Sequence, residues 1–239
     1  MKMKLIEEIL KEIQDAPIDD VRIGLKYTAV KIGNRIGLAH TMPDLRDTPR
    51  NVGKLLGMKL ASLAHSWNLT EAAIGAAAIN AQLKPKYYKK VNIFKHVLNI
   101  FKKYENIGVV GKFPFIESMK NNENNIYIFE QKPVNGCLPA SAAEYHLPKC
   151  DLVIISGTTI VNKTLERLLE ISNGYTMVIG PTTPLSSVLF EFGADIIAGV
   201  IANANNSHKN NLLNIISQGG GTRDFQSVVE NVYMEAKSK

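Results

Sequence analysis

The sequence predicts an α/β protein: a Rossmann-like doubly wound parallel sheet preceded by a small α+β unit. Three observations carry that expectation. Beyond residue 91, short apolar runs alternate with amphipathic helical stretches, the pattern of βαβ units. Before residue 84, a stretch of period two gives way to helical segments. Between them lies Lys84-Pro-Lys-Tyr-Tyr-Lys-Lys90, the best linker in the chain. The expected division is therefore 1–86 and 87–239.

The first unit begins with a helix over 3–15, whose apolar stripe is Leu5, Ile6, Ile9, Leu10 and Ile13 and which Pro17 ends. Val21, Ile23, Leu25 and Tyr27 then alternate with polar residues or glycine. Val30 and Ile32, the Gly33-Asn34 turn, and Ile36 and Leu38 complete a short antiparallel meander. A polar loop from His40 to Pro49 leads to two expected helices, 51–66 and 70–83, the second with Thr70 as N-cap and Glu71 in its first turn. Its middle, Ala72 to Asn80, is nearly all small residues, so another backbone can approach it closely.

The second unit begins with a helix over 91–103 that turns Phe94, Val97, Leu98 and Phe101 inward. Five strands are expected at Ile107–Val110, Ile126–Phe129, Leu152–Ile155, Met177–Ile179 and Ile196–Val200. After the third, a helix from Ile160 carries Val161, Thr164, Leu165, Leu168 and Leu169 on one side. After Gly219-Gly-Gly221 a last helix is expected, with the stripe Phe225, Val228, Val229, Val232 and Ala236.

Composition bounds the function. The chain has 239 residues, 45% hydrophobic and 21% charged, ordinary values for a globular protein. The net charge of +6 is spread over many lysines, a pattern of solubility more than of a polyanion partner. No nucleic-acid motif accompanies the Lys84–Lys90 cluster, so a nucleic-acid partner is not expected. Two cysteines, Cys137 and Cys150, suit a reducing cytoplasm. Acids interrupt the N-terminal apolar residues, so no signal peptide is read, and no apolar run reaches the roughly 18 residues of a membrane span. A cytoplasmic protein is expected, and a homodimer is compatible with the sequence.

Every strand of the second unit ends in polar or glycine-rich residues: Gly111-Lys-Phe-Pro-Phe115, Glu130-Gln-Lys-Pro133, Ser156-Gly-Thr-Thr159 and Gly180-Pro-Thr-Thr-Pro184. Each alone is an ordinary turn. Together they converge on the carboxyl edge of one sheet, where open α/β sheets bind ligands. Hydroxyls, an amide and free N–H groups there suit a small polar or anionic ligand. The first turn is not G-x-G-x-x-G, because Phe113 and Pro114 stand where a pyrophosphate needs bare backbone, so an ordinary dinucleotide is disfavoured. Phe113 would serve instead to pack a ring. Glu130 and Glu144 are the acids best placed near the edge. No Ser/His/Asp triad, paired carboxylates or H-E-x-x-H is present. Cys137, His146 and Cys150 have no zinc spacing, and His40, Asp44 and Asp47 form a loose set in a solvated loop.

Leu138-Pro-Ala-Ser-Ala-Ala-Glu144, Leu147-Pro-Lys-Cys-Asp151, Ser156-Gly-Thr-Thr-Ile-Val-Asn-Lys-Thr164 and Gly180-Pro-Thr-Thr-Pro-Leu185 together resemble the family described as putative heavy-metal chelation. The resemblance covers most of the chain and is strongest over about 107–200. It implies an enolase-N-terminal-like domain followed by a Rossmann-like domain. It also implies a site between them, built from Gly111, Phe113, Thr158, Thr159, Asn162, Pro181 and Thr182, with Asn80 from the other side. The cargo implied is a metal ion or a metal chelate; the residues themselves offer His40, Cys137 and His146 as candidate metal ligands. The other expectation is an enzyme on the same cleft, using a nucleotide-like cofactor and Glu144 or Glu130 as proton carrier.

Overall fold

The computed structural model describes residues 4–42, 47–90, 93–119, 123–132, 134–204 and 209–236. Asp44 and Pro133 lie outside them. The first half holds α1 (Lys4–Lys11), β1 (Asp20–Ile23), β2 (Tyr27–Ile32), β3 (Arg35–His40) and α2 (Leu69–Gln82). The second runs β4 (Lys89–Lys90), α3 (Ile93–Ile100), β5 (Asn106–Val110), β6 (Asn125–Glu130), β7 (Leu138–Pro139), α4 (Ala143–His146), β8 (Leu152–Ser156), α5 (Leu165–Ile171), β9 (Tyr175–Ile179), α6 (Val188–Glu191), β10 (Ile196–Asn203), α7 (Lys209–Ser217), α8 (Thr222–Phe225) and β11 (Glu230–Glu235). All strands join one sheet, ordered β1-β2-β3-β10-β9-β8-β5-β6-β7, with β11 on β10 and β4 on β11. From β10 to β7 along this order the pairing is parallel, and β1, β2 and β3 form the antiparallel meander.

The middle strands are buried on both faces. On β8, Leu152 and Ile154 face one core, while Val153 and Ile155 face the other, which explains their unbroken apolar run. One core is continuous across both halves: α1 and α2 pack in it with Val30 and Ala39, and so do α5, α6 and strand residues Val153, Val178 and Ile197. On the other face α3 covers the parallel strands, and α7 and α8 cover the meander.

Helix α2 is buried on nearly every side, as its small residues allow. A Cβ on Gly37 of β3 would lie 2.0 Å from the Ala77 carbonyl oxygen, and one on Gly75 would lie 2.0 Å from the Ala64 nitrogen. Only glycine permits these approaches. Glu71, in the first turn of α2, is 1% exposed. Its carboxylate accepts from Arg50 Nε and Nη2, the Arg50 backbone N–H and Ser66 Oγ.

Four expectations are corrected. The helix over 51–66 is absent apart from a 3-10 turn at Ala61–His65, because Asn51, Gly53 and Gly57 have φ of 60°, 79° and 77°. The N-cap of α2 is Asn68, not Thr70: the Asn68 side chain accepts from the Thr70 and Glu71 N–H groups. The α-helix after β8 begins at Leu165, not Ile160, since Gly157–Ile160 form a 3-10 turn and Lys163 has φ 69°. The last apolar stripe is split: Phe225 ends the short α8, and β-branched Val232 lies in β11, which covers the edge of β10 from Ile196 to Ile201.

Strand β10 organises the junction of the halves. The Ala198 carbonyl accepts from Gly180 just past β9, and Ala204 N–H donates to Asn34 just before β3. Residues an even number apart in a strand present their polar groups to the same edge. Strands β9 and β3 therefore meet end to end along one edge of β10, where β9 pairs with Ile196–Ala198 and β3 with Ala202–Asn203. Between these pairings the loop after β9 crosses Gly199, where a Cβ would come within 3.0 Å of the Thr183 carbonyl.

Candidate functional site

At this junction the last residues of β3 have lost a strand partner, and side chains supply one. Asn80, near the end of α2, donates from Nδ2 to the Leu38 carbonyl of β3 (2.9 Å) and to the Thr182 carbonyl (3.0 Å). The Thr182 hydroxyl accepts from the His40 backbone N–H (2.9 Å). Three otherwise unmet backbone groups are thus satisfied by two side chains, one from each half. Thr182 is 2% exposed. Among the described residues, Asn80 Oδ1, His40 Nδ1 and Thr183 Oγ1 are buried without a hydrogen-bond partner. Such atoms cost about 1–3 kcal/mol each and commonly mark a water or ligand position. The His40 ring packs edge-on against Tyr27, and burial pushes its pKa below the usual value, which favours the neutral imidazole.

The remaining turns continue the same edge. Thr183 packs on Gly157, which leads into Thr158. Ser156 Oγ donates to Thr158 Oγ1 (3.0 Å) and lies against Gly111, whose φ is 98°. Thr159 is buried, and its hydroxyl donates to the Ser156 carbonyl at 2.7 Å. Glu130 accepts the Lys112 N–H at 2.6 Å, closing the loop after β5. Phe113 stacks on Phe115 with centroids 5.2 Å apart, and Phe94 lies 6.5 Å from Phe113. Pro181 is half-buried beside Thr182.

Other candidates lie apart from the junction or are locally engaged. Glu144 is exposed on α4, its two oxygens bound by Arg167 of α5 at 3.0 and 2.7 Å. Asn162 Oδ1 accepts from the Thr164 hydroxyl and N–H, a local turn. His146 packs on Tyr127 at 4.6 Å, and its carbonyl accepts from Cys150 Sγ. Cys137 is half-buried against the α3 core.

Sequence reasoning overlooked Thr183 and Lys163. Thr183 was visible only as part of the Thr-Thr turn. Lys163 has a left-handed backbone and an Nζ that donates to the Val161 carbonyl, and burial pulls its pKa down to about 8. Nothing in the residue pattern signals either property.

The fold and this edge define the class: an α/β protein whose doubly wound sheet is extended by an antiparallel meander, with a polar junction at the carboxyl ends of the strands. Within that class the chain belongs to the DUF364 family, whose model, described as "Putative heavy-metal chelation", matches residues 92–235. A second model of the same description, DUF4213, matches residues 6–83. An uncharacterized protein of Methanocaldococcus jannaschii is 30% identical over 227 residues, covering 83% of this chain and 86% of its own. A crystal structure of a DUF364-family protein of unknown function from Desulfitobacterium hafniense superposes with a TM-score of 0.85 at 30% identity, over 98% of both chains. Another family structure of unknown function, from Pyrococcus horikoshii, has the same fold, with a TM-score of 0.79 at 21% identity over 98% of this chain and 99% of that one.

The family description names a metal, so the donor atoms matter. Among the described residues, no three of His, Cys, Asp or Glu stand close enough together to hold one. Metal ligation by cysteine requires the thiolate, and burial pushes the Cys150 thiol up to about 11. These residues do not fit a bare soft metal ion.

Proposed function

We propose that the protein binds a small polar ligand at the junction of its two halves, and that a metal would arrive there inside its chelate. The observation that carries this reading is that Asn80 Oδ1 on α2 and Thr183 Oγ1 on the loop after β9, two elements that Asn80 joins through the Thr182 carbonyl, are each buried without a hydrogen-bond partner, with His40 Nδ1 a third such atom on the Tyr27 face of β3. A ligand with both donors and acceptors would satisfy them. The turns bearing Thr158, Gly111 and Phe113 extend the same edge and would hold the rest of the molecule, Phe113 against its apolar part. The family description supports a chelate as cargo, while the lack, among the described residues, of three His, Cys, Asp or Glu side chains close together speaks against direct coordination by the protein. Glu130 and Glu144 are both engaged in protein contacts, so neither supports a proton-transfer role.

The test is thermal melting against zinc, copper and nickel ions, offered free and as citrate or tetrapyrrole complexes. The complexes should raise the melting temperature of the native protein, the free ions should do little, and Thr182→Val should abolish the effect. A panel without any stabilising complex, or equal stabilisation of the variant, would refute this reading.

A further inference from the structure

A separate cleft of about 1380 Å³ lies under the segment that joins the halves. Its walls are the ends of α1 and α2, the β2–β3 turn, residues 83–89, the start of α6 and the end of β11. None of the sheet-edge residues described above lines it. Ligand pockets for small molecules commonly enclose roughly 300–1,000 Å³, so this one has room for a mononucleotide-sized compound.

The lining combines two chemistries. Among the described residues that line the cleft, Arg35, Lys84, Lys86 and Lys89 face two carboxylates, Glu12 and Glu235. Lys89 is paired with Glu235 at 2.6 Å, and Glu12 accepts from Ser187 Oγ. Lys84 and Lys86 are exposed and have no carboxylate partner among the described residues. Arg35 donates from Nη2 to the Leu83 carbonyl (3.0 Å), but its Nε is buried and unpartnered. A guanidinium with an unpartnered Nε beside two ammonium groups that have no carboxylate partner among the described residues suits a phosphate. The same wall carries aromatic surface: Tyr87 is 76% and Tyr88 40% exposed, and Phe190 and Tyr233 also line the cleft. Exposed tyrosine rings beside cations are suited to stacking a planar ring. Burial also lowers the Arg35 pKa, a penalty that a bound anion would offset.

We propose that this cleft is a second binding site, for a nucleotide-class ligand in which a planar ring carries a phosphate. Arg35, Lys84 and Lys86 hold the phosphate, and Tyr88 stacks the ring. This assignment does not depend on the sheet-edge site. The test is isothermal titration of the full chain with adenosine diphosphate, with adenosine and pyrophosphate as separate probes. Adenosine diphosphate should bind more tightly than either fragment. The Lys84→Glu/Lys86→Glu variant should weaken it at least tenfold, Tyr88→Ala should weaken it several-fold, and Thr182→Val should leave it unchanged. Far-ultraviolet circular dichroism checks that these variants are folded. Failure of adenosine diphosphate to bind at millimolar concentration, or binding unchanged by the double variant, would overturn the proposal. Pyrophosphate binding as tightly as the nucleotide would overturn the ring assignment.

Discussion

Asn80 joins three parts of the chain with one amide group: its own helix, the end of β3 and the loop after β9. Replacing it by alanine removes two hydrogen bonds and leaves the Leu38 and Thr182 carbonyls without those donors. The expected loss is about 2–4 kcal/mol, measurable by urea unfolding. The resemblance placed Asn80 opposite the sheet edge, but its partners depend on how β3 ends and could not be read. Glu71 gives the second residue-scale prediction. Its contacts with Arg50 and Ser66 hold its folded pKa at about 2, below the usual 4.5. A depressed carboxylate pKa stabilises the fold fully above pH 4.5, and that stabilisation is lost as pH falls from there towards 2. Glu71→Gln should therefore be destabilised at neutral pH by about 2 kcal/mol and should show a flatter loss of stability over that acid range, read from denaturant midpoints.

At the scale of elements, α2 and β3 touch through glycine. The Ala77 carbonyl occupies the place of a Gly37 side chain, so Gly37→Val must displace the helix. A cost of about 4 kcal/mol or more is expected, and hydrogen exchange in α2 should accelerate with it. The small-residue run Ala72 to Asn80 announced such a close approach, but the glycine that uses it is remote in sequence. The strands of the parallel sheet were legible because burial on both faces leaves continuous apolar runs. The failures have two causes. Between residues 51 and 66 the local spacing suggested a helix, yet left-handed turns at Asn51, Gly53 and Gly57 prevailed. Near the end of the chain, Val228, Val229 and Val232 fit a helical stripe, but the open edge of β10 recruited residues 230–235 as a strand. Pairing across the sheet is invisible to local periodicity.

Across the whole molecule, the two halves share one sheet and one continuous core. The sequence anticipated polar turns converging at the carboxyl edge, and Gly111, Ser156, Thr158 and Thr182 do lie along it. It could not foresee that β3 would meet β9 end to end on β10, nor that this junction would leave three buried atoms without partners. Among the described residues no helix is long and apolar enough to cross a membrane. The central claim is that the junction receives a polar ligand, with any metal carried inside it. Native mass spectrometry of the purified protein, beside elemental analysis of the same sample, tests this most directly. The account predicts a bound small molecule at one per chain, any metal present leaving together with it, and loss of both in Thr182→Val. A bare chain mass without metal, or a metal that stays bound after the organic mass is removed, would contradict it.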